Sequence, residues 1–596
     1  MGTFVSSTIT GLRILENEIV NVALTSANTL KKYEYMSLIS NRFFIESTIV
    51  CLLLTSFSFG QTFQWAKQAG NSGWDRVNVV QTDGLNQVYL FGSFEGTVDL
   101  DPGPGIFQMT AVDERDAFIS KFDSNGNFIW AKQFGDSAFI DETSTMGIDS
   151  FGNLYLTGSF LGSVDFDPGT ATFWMTSQGM DRDIYILKLD SEGSFVWAKQ
   201  IGGKFHFFFP TPAHATAIAV DEVGNQYLTG YFDGTIDFDP DPSDTFMLTS
   251  QVNSTDIFVC KLTTDGELVW AKQFQGNQPH FGGVGYDIAV NAIGEVYTTG
   301  TIGGTVDFDP GMAVFYLTPS VPNNTESYLS KLDANGNFSW AKAMGPGEGN
   351  ALAVNDQGEV YTGGSTPPGY MPRIKKLDTS GQLLWEKELG GNDAQSITLD
   401  ASGNVYTIGS CFGTNDFDPG QGVFQLSGGN SDAYIRKLDS SGNFVWAGLL
   451  SGTDQVWACD VIIDQDNALY VAGYFSQTAD FDPSTSIFNL TGPVSGYNLF
   501  VTKLSQDSQL GLTSNELHDR ITLYPNPTDG NITVICEENY DKLYFQLRNI
   551  NGQLLSTQEL NPGKQVEIEL QQASGVYLLE ITDQTQFRTV RRIVKK

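Results

Sequence analysis

Six times in this chain two aspartates stand two residues apart in front of a proline. The copies are DLDPG (99–103), DFDPG (165–169), DFDPD (237–241), DFDPG (307–311), DFDPG (416–420) and DFDPS (480–484). On an extended segment, carboxylates at i and i+2 project to one side. That spacing suits a hard cation such as Ca²⁺ or, with one acid and one base, glycoside cleavage. The candidate ligand pairs are Asp99 and Asp101, Asp165 and Asp167, Asp237 and Asp239, Asp307 and Asp309, Asp416 and Asp418, and Asp480 and Asp482. The competing reading is a turn in which each Asp caps backbone N–H groups ahead of the proline. Two carboxylates fall short of the oxygens Ca²⁺ requires. Six copies of one motif also suit architecture better than catalysis, which needs a unique pair.

A second constellation lies in two loops, GGKFHFFFPTPAHA (202–215) and FQGNQPHFGG (274–283). They hold three of the four histidines, His206, His214 and His280, beside Phe205, Phe207, Phe208, Phe209 and Phe281. Such rings can stack on a sugar or peptide, and imidazoles can bind a metal. The alternative is that the phenylalanines pack between elements or plug a channel. The sequence contains no GxSxG, no HExxH and no phosphate-cradling loop, so no catalytic residue is expected. The expected role is non-catalytic binding of glycans, matrix or surface proteins. The alternatives are an extracellular glycan-active hydrolase or lyase using the DFDP acids, and a purely structural surface protein.

The elements that carry these loops repeat. A tryptophan segment recurs at Trp65, Trp130, Trp197, Trp270, Trp340, Trp385 and Trp446. So do VYLFG-like and ISKFD-like segments, seven of each. All are short, rich in β-branched and aromatic residues, and bounded by Gly, Asn and Asp, which are strand and turn signals. Residues 146–199 show one unit of four strands, whose first and last pairs are joined by DSFGN and DSEGS. Four antiparallel strands repeated seven times fit a β-propeller. The repeat opens on a lone fourth strand, FQWAKQ, and closes on a third strand, YNLFVTKL, without its partner. The N-terminal strand is therefore expected to complete the last blade and close the ring over 61–505.

These motifs resemble a bacterial family of seven-bladed propeller repeats with GIAVDxxGNVYxTG and AFIxKLDxxGNxxW strands. The resemblance implies the fold and leaves activity open. The DxxGN…W segment is also loosely similar to the tryptophan-docking motif of quinone-cofactor propellers, but the further motifs of a cofactor site are absent. In such blades the two short turns share one face of the disc, and the two-to-three and four-to-one connections share the other. Length varies only on the second face, where binding is expected.

Charge divides the chain. The formal charge is −36, and residues 61–519 hold 20 basic and 56 acidic side chains while both flanks are balanced. A body so negative repels phosphate backbones, which excludes a nucleic-acid partner. Five scattered cysteines without a CxxC signal neither zinc nor a disulfide framework. Residues 1–60 read as a leader. Met36 to Gly60 has the charge, apolar run and small-residue cleavage site of a signal peptide, and 1–35 reads as an upstream extension.

Residues 506–520 read as a polar linker, and 521–596 as alternating strands of a small Ig-like β-sandwich. The module carries Tyr524-Pro525-Asn526-Pro527, Asn551-Gly552, Gly575-Val576-Tyr577 and a basic end running to Lys595-Lys596. It resembles the type A C-terminal sorting domain of the type IX secretion system of Bacteroidetes. The resemblance implies passage through the periplasm, recognition by the outer-membrane translocon, and release or display at the cell surface. The expected fold is all-β, a seven-bladed propeller followed by this sandwich. No cofactor is required, and Ca²⁺ is the one ion considered.

Overall fold

The computed structural model describes the chain from Gln61 to Lys595. Residues 507–520 and short stretches including 141–144, 205–212, 278–281, 367–370, 525–527, 550–553 and 584–587 lie outside the described residues, as does the leader. Every regular element among the described residues is a strand. Contacts divide the chain into two units, meeting at Gln506 and Asp507.

The repeating turn explains the repeating strand. In blade 2, Asp149 Oδ1 accepts the N–H groups of Phe151 and Asn153, each at 2.9 Å. Gly152 takes the left-handed conformation (φ 83°) that closes the hairpin. The same device recurs at Asp190 and Gly193 between strands three and four. Asp fixes the turn and Gly reverses it, so alternate connections remain short and uniform.

Seven four-stranded antiparallel units result among the described residues, six of them in chain order and the seventh taking its outer strand from the N-terminal end. Blades 1 to 7 span 76–134, 145–204, 213–276, 283–346, 348–388, 396–452 and 456–505. The middle strands are buried on both faces: all seven residues of Asp116–Phe122 are buried, as are those of Val296–Ile302. This follows from blades stacking face to face. The first strands of successive blades touch in a closed circuit, from blade 1 through blade 7 and back.

Closure uses the N-terminal strand. Thr62–Ala69 lies antiparallel to Asn498–Ser505, with Phe63 opposite Leu504 and Trp65 opposite Lys503. The covalently linked hairpins have the same register, for example Phe195 opposite Leu189 and Trp197 opposite Lys188, including the one-residue bulge. The ring therefore closes through an ordinary third-to-fourth strand pair and leaves no edge there.

Neighbouring blades dock through tryptophan. The ring of Trp340 lies beneath Gly381 in the next blade's turn and donates to Thr379 O at 3.3 Å. Trp65, Trp270 and Trp385 do the same at the turns of blades 1, 4 and 6. Opposite each tryptophan, the lysine of the KLD segment lies over a tyrosine ring, at 4.9 Å for Lys121 on Tyr89 and 5.0 Å for Lys503 on Tyr470. Its Nζ reaches the next blade's turn: Lys121 donates to Ser191 O at 2.9 Å and Lys503 to Ser124 O at 3.1 Å. Burial lowers the pKa of Lys121 and Lys503, and turn aspartates oppose that shift. At the sixth seam the chain break removes the turn, and Gln506 Oε1 accepts from Lys437 Nζ at 2.9 Å instead.

The C-terminal unit has a three-stranded sheet (Ile521–Tyr524, Asn531–Tyr540, Gly563–Glu569) and a four-stranded one (Leu543–Asn549, Leu554–Leu560, Gly575–Asp583, Arg588–Lys595). Ile532, Val534 and Ile568 from the first meet Phe545, Leu579, Ile581 and Ile593 from the second in one core.

The docking turn yields a test. A Cβ on Gly381 (φ 76°) would fall 3.1 Å from the Trp340 ring, whereas one on Gly413 (φ 66°) meets nothing within 4 Å. Gly413→Ala should cost about 1–2 kcal/mol of backbone strain. Gly381→Ala should cost that plus roughly 1–3 kcal/mol of overpacking. Urea unfolding of both variants measures the difference, and equal losses would remove the dock from the account.

Candidate functional site at the channel mouth

The DFDP motifs sit in short hairpins between strands two and three, and all six are built alike. The first aspartate accepts two backbone N–H groups on Oδ1. For Asp307 these come from Asp309 at 3.1 Å and Phe315 at 2.7 Å. Asp99, Asp165, Asp237, Asp416 and Asp480 repeat the pattern. The second aspartate accepts one N–H two residues on, as Asp309 does from Gly311 at 2.8 Å. Asp101, Asp167, Asp239, Asp418 and Asp482 follow it. No group of three or more His, Cys, Asp or Glu suited to a metal occurs among the described residues.

The residue between the two aspartates explains the motif's recurrence. Phe308 is fully buried and packs on Phe274 of blade 3 at 4.9 Å and Tyr328 of blade 4 at 4.8 Å. The hairpin's first arm also pairs with the outermost strand of the preceding blade, Asp307 with Gln275, Asp237 with Gly202 and Asp480 with Ser451. A bridge from Gly70 to Asp99 does this across the closing seam. These hairpins are straps between blades, with the aspartates shaping the strap. The glutamine of WAKQ, which the sequence does not single out, ties the same structure. Gln133 Nε2 donates to Thr110 O at 2.9 Å and to buried Asp116, and Gln200 and Gln273 repeat both bonds.

One concave site lies where the first strands begin, at the mouth of the central channel. A cavity of about 420 Å³ is lined by Thr216, Tyr286, Asn350 and Gln395, from blades 3 to 6, together with His214, Tyr231 and Arg182. Register shifts at Ala215/Ala217, Gly285/Asp287 and Gly349/Ala351 bulge Thr216, Tyr286 and Asn350 from their strands. His214 is buried and stacks on Tyr231, with ring centroids 5.3 Å apart and planes 4° from parallel. Of the two aromatic loops, His214 is the member placed at the cavity. Phe205, His206, Phe207, Phe208, Phe209, His280 and Phe281 lie outside the described residues.

Two aspartates follow bulged residues deeper in the channel wall. Asp287 of blade 4 accepts Leu352 N–H of blade 5 at 2.7 Å and Ile288 N–H at 2.8 Å. Asp460 of blade 7 accepts Val80 N–H of blade 1 at 3.1 Å and the Ser396 hydroxyl of blade 6 at 2.9 Å. Enclosure by the surrounding strands pushes Asp287 up to about 7 and Asp460 up to about 6. Burial likewise raises Asp75 and Asp256 to about 6.

In the C-terminal unit, Gly575 is registered opposite Lys595, and Lys595 Nζ donates to Leu570 O at 2.6 Å and Gln572 O at 2.7 Å. Tyr577 hydroxyl donates to Ala573 O at 2.7 Å. Tyr524 ends the first strand, half exposed, while Pro525, Asn526, Pro527, Gly552 and Lys596 lie outside the described residues. Residues 522–596 match the family described as the secretion system C-terminal sorting domain. The chain is exported by the type IX secretion system. Its destination is the cell surface or the extracellular space.

Residues 129–159 match the β-propeller repeat family. Over 235 residues the exported chain is 26% identical to the uncharacterized WD repeat-containing protein L264 of Acanthamoeba polyphaga mimivirus, spanning 35% of this chain and 16% of that protein. Similar solved structures include the WD40 β-propeller domain of Doa1, 12% identical over 75% of this chain and 98% of that one, with a TM-score of 0.36. The Dos1 propeller is 11% identical over 76% of this chain and 97% of that one, with a TM-score of 0.35.

Three outcomes follow from the side chains. Asp307→Ala removes the carboxylate oxygen that accepts two backbone N–H groups and should cost about 1–3 kcal/mol. Millimolar Ca²⁺ should leave the wild-type melting temperature unchanged, whereas an occupied site would add about 2.7 kcal/mol at a hundredfold excess over Kd. Because Asp75, Asp256, Asp287 and Asp460 have folded pKa values above the unfolded value near 3.8, the fold holds protons that the unfolded chain releases. Their contribution to stability therefore falls as pH rises from about 4 to 7. Melting temperature should be higher near pH 5 than near pH 8, and Asp287→Asn with Asp460→Asn should reduce that difference. An unchanged difference in the double variant would contradict the assignment.

Proposed function

We propose that the exported propeller is a non-catalytic binding module that takes a glycan or a peptide at the channel mouth. The observation that carries this reading is the lining of the cavity. Among the described residues it has two tyrosine rings, two side-chain amides, a threonine, a histidine and an arginine, and no carboxylate. Aromatic faces meet the apolar faces of sugars, and the amides and hydroxyls meet their hydroxyl groups. The hydrolase alternative draws its acid and base from the DFDP aspartates, and each of those has at least one backbone N–H bound. A glycan and peptide array probed with the full chain tests the reading. Retention on at least one ligand class, weakened about tenfold or more by Tyr286→Ala and unchanged by Asp309→Asn, is expected. Cleavage products from any retained ligand, or no retention at all, would overturn it.

A further inference from the structure

We propose that the turn face of the propeller docks a basic amphipathic segment of a partner protein. This face is where the first strands end, and the cavity is where they begin. Its docking surface is an arc of exposed apolar side chains across blades 1 to 4, set in a ring of acidic turns.

The first observation is one position compared across the seven blades. In every turn between first and second strands, the third residue donates its N–H to the side-chain oxygen of the first. Leu85, Phe151, Val223 and Ile293 do so in blades 1 to 4. Gln357, Ser402 and Asp466 do so in blades 5 to 7. The backbone bond is the same throughout, so the turn asks nothing of this side chain. Yet in blades 1 to 4 it is apolar and exposed, at 64%, 74%, 62% and 73%. The turns between third and fourth strands lie on the same face and have the same bond. Their matching residues are Asn125, Glu192, Asp265, Asn335, Ser380 and Ser441, every one polar. Apolar residues scattered singly over a surface need no explanation, but four at one position in successive blades make a patch. Adjoining first turns also touch, since the Ser150 hydroxyl donates to Glu222 O at 2.7 Å.

The second observation is charge. The seven first turns, 83–87, 149–153, 221–225, 291–295, 355–359, 400–404 and 464–468, contain ten Asp and Glu and no Lys or Arg. Glu222, Asp356 and Asp466 are exposed at their tips. The KLD lysines are committed to the seams: Lys121 lies on Tyr89 and donates to Ser191 O, and Lys188 lies on Tyr155 and donates to Thr264 O. An apolar arc among acids fits a segment with apolar anchors on one side and Lys or Arg beside them. The whole body, with 20 basic and 56 acidic residues in 61–519, draws such a segment in from a distance. The same charge repels the anionic head groups of a membrane. A polypeptide therefore fits this face better than a lipid surface does.

The test separates apolar contact from charge. An amphipathic Lys/Leu peptide, a Glu/Leu peptide of the same pattern, a Lys/Ser peptide of equal charge, and phosphatidylglycerol vesicles are each titrated into the full chain at about 0.15 M salt. The Lys/Leu peptide should bind about tenfold or more tighter than either other peptide. Phe151→Ser with Ile293→Ser should weaken it about tenfold or more and leave the Lys/Ser peptide unchanged. Val223→Lys, which puts a like charge in the arc, should weaken it as much. Met312→Ser with Val314→Ser, at exposed apolar residues of the blade 4 strap, should change nothing. Circular dichroism melting checks that the variants fold as the wild type does. No binding of the Lys/Leu peptide, equal binding of the Glu/Leu peptide, or a loss in the arc variants no larger than in the strap variant would overturn the proposal. Vesicle binding that the arc variants abolish would overturn it in favour of a membrane.

Discussion

Each blade depends on its neighbour for the cover of its tryptophan. The indole lies under a glycine of the next blade's turn, and the lysine across from it, lying on a tyrosine, reaches the same turn. That contact constrains the chain strongly. The glycine cannot carry a side chain, an aspartate (Thr263 in blade 3) holds the turn, and tryptophan faces lysine across the strand pair. The recurrence of DxxGN, KLD and WAKQ follows from this single seam. Burial of the middle strands on both faces follows too, because docked blades leave them no solvent.

The seams are not all equal, and the differences fall where the ring is weakest. Blade 5 has STPPGYMPR in place of the DFDP strap, so the seam between blades 4 and 5 lacks that clamp. There Asp287 crosses to Leu352 N–H. The seam between blades 7 and 1 is closed by a strand that arrives from the other end of the propeller sequence. There Asp460 binds Val80 and also holds Ser396 of blade 6. Both carboxylates occupy the position after the channel-lining column, which is Val79, Ala217 and Ala351 in blades 1, 3 and 5. The bulge leaves a backbone N–H of the next blade within reach, and an aspartate supplies its acceptor. With the scaffold held this way, variation in loop length is confined to the opposite face, where the cavity lies.

Much of the fold was legible because turns and seams have short-range signatures. The Asp-Gly turns, the seven tryptophans and the orphan FQWAKQ strand together specify the blades and the way the ring closes. The site was less legible. The DFDP spacing suggested paired ligands, but the buried phenylalanine between the aspartates is what fixes the motif, and its partners lie on two blades. The cavity is formed by one residue from each of several strands some 45–70 positions apart, Thr216, Tyr286, Asn350 and Gln395. Only superposing the seven first strands brings them into one column. Arg182 carried no sequence signal, since its place at the cavity arises from the loop before a third strand.

The most direct test of the account is hydrogen–deuterium exchange of the full chain, read at the closing strand. If residues 62–69 complete blade 7 in the register observed, their paired amides should exchange as slowly as those of 499–504, and both should open only with the propeller as a whole. Exchange of 62–69 within seconds, beside slow exchange in 499–504, would show an open ring and contradict the account.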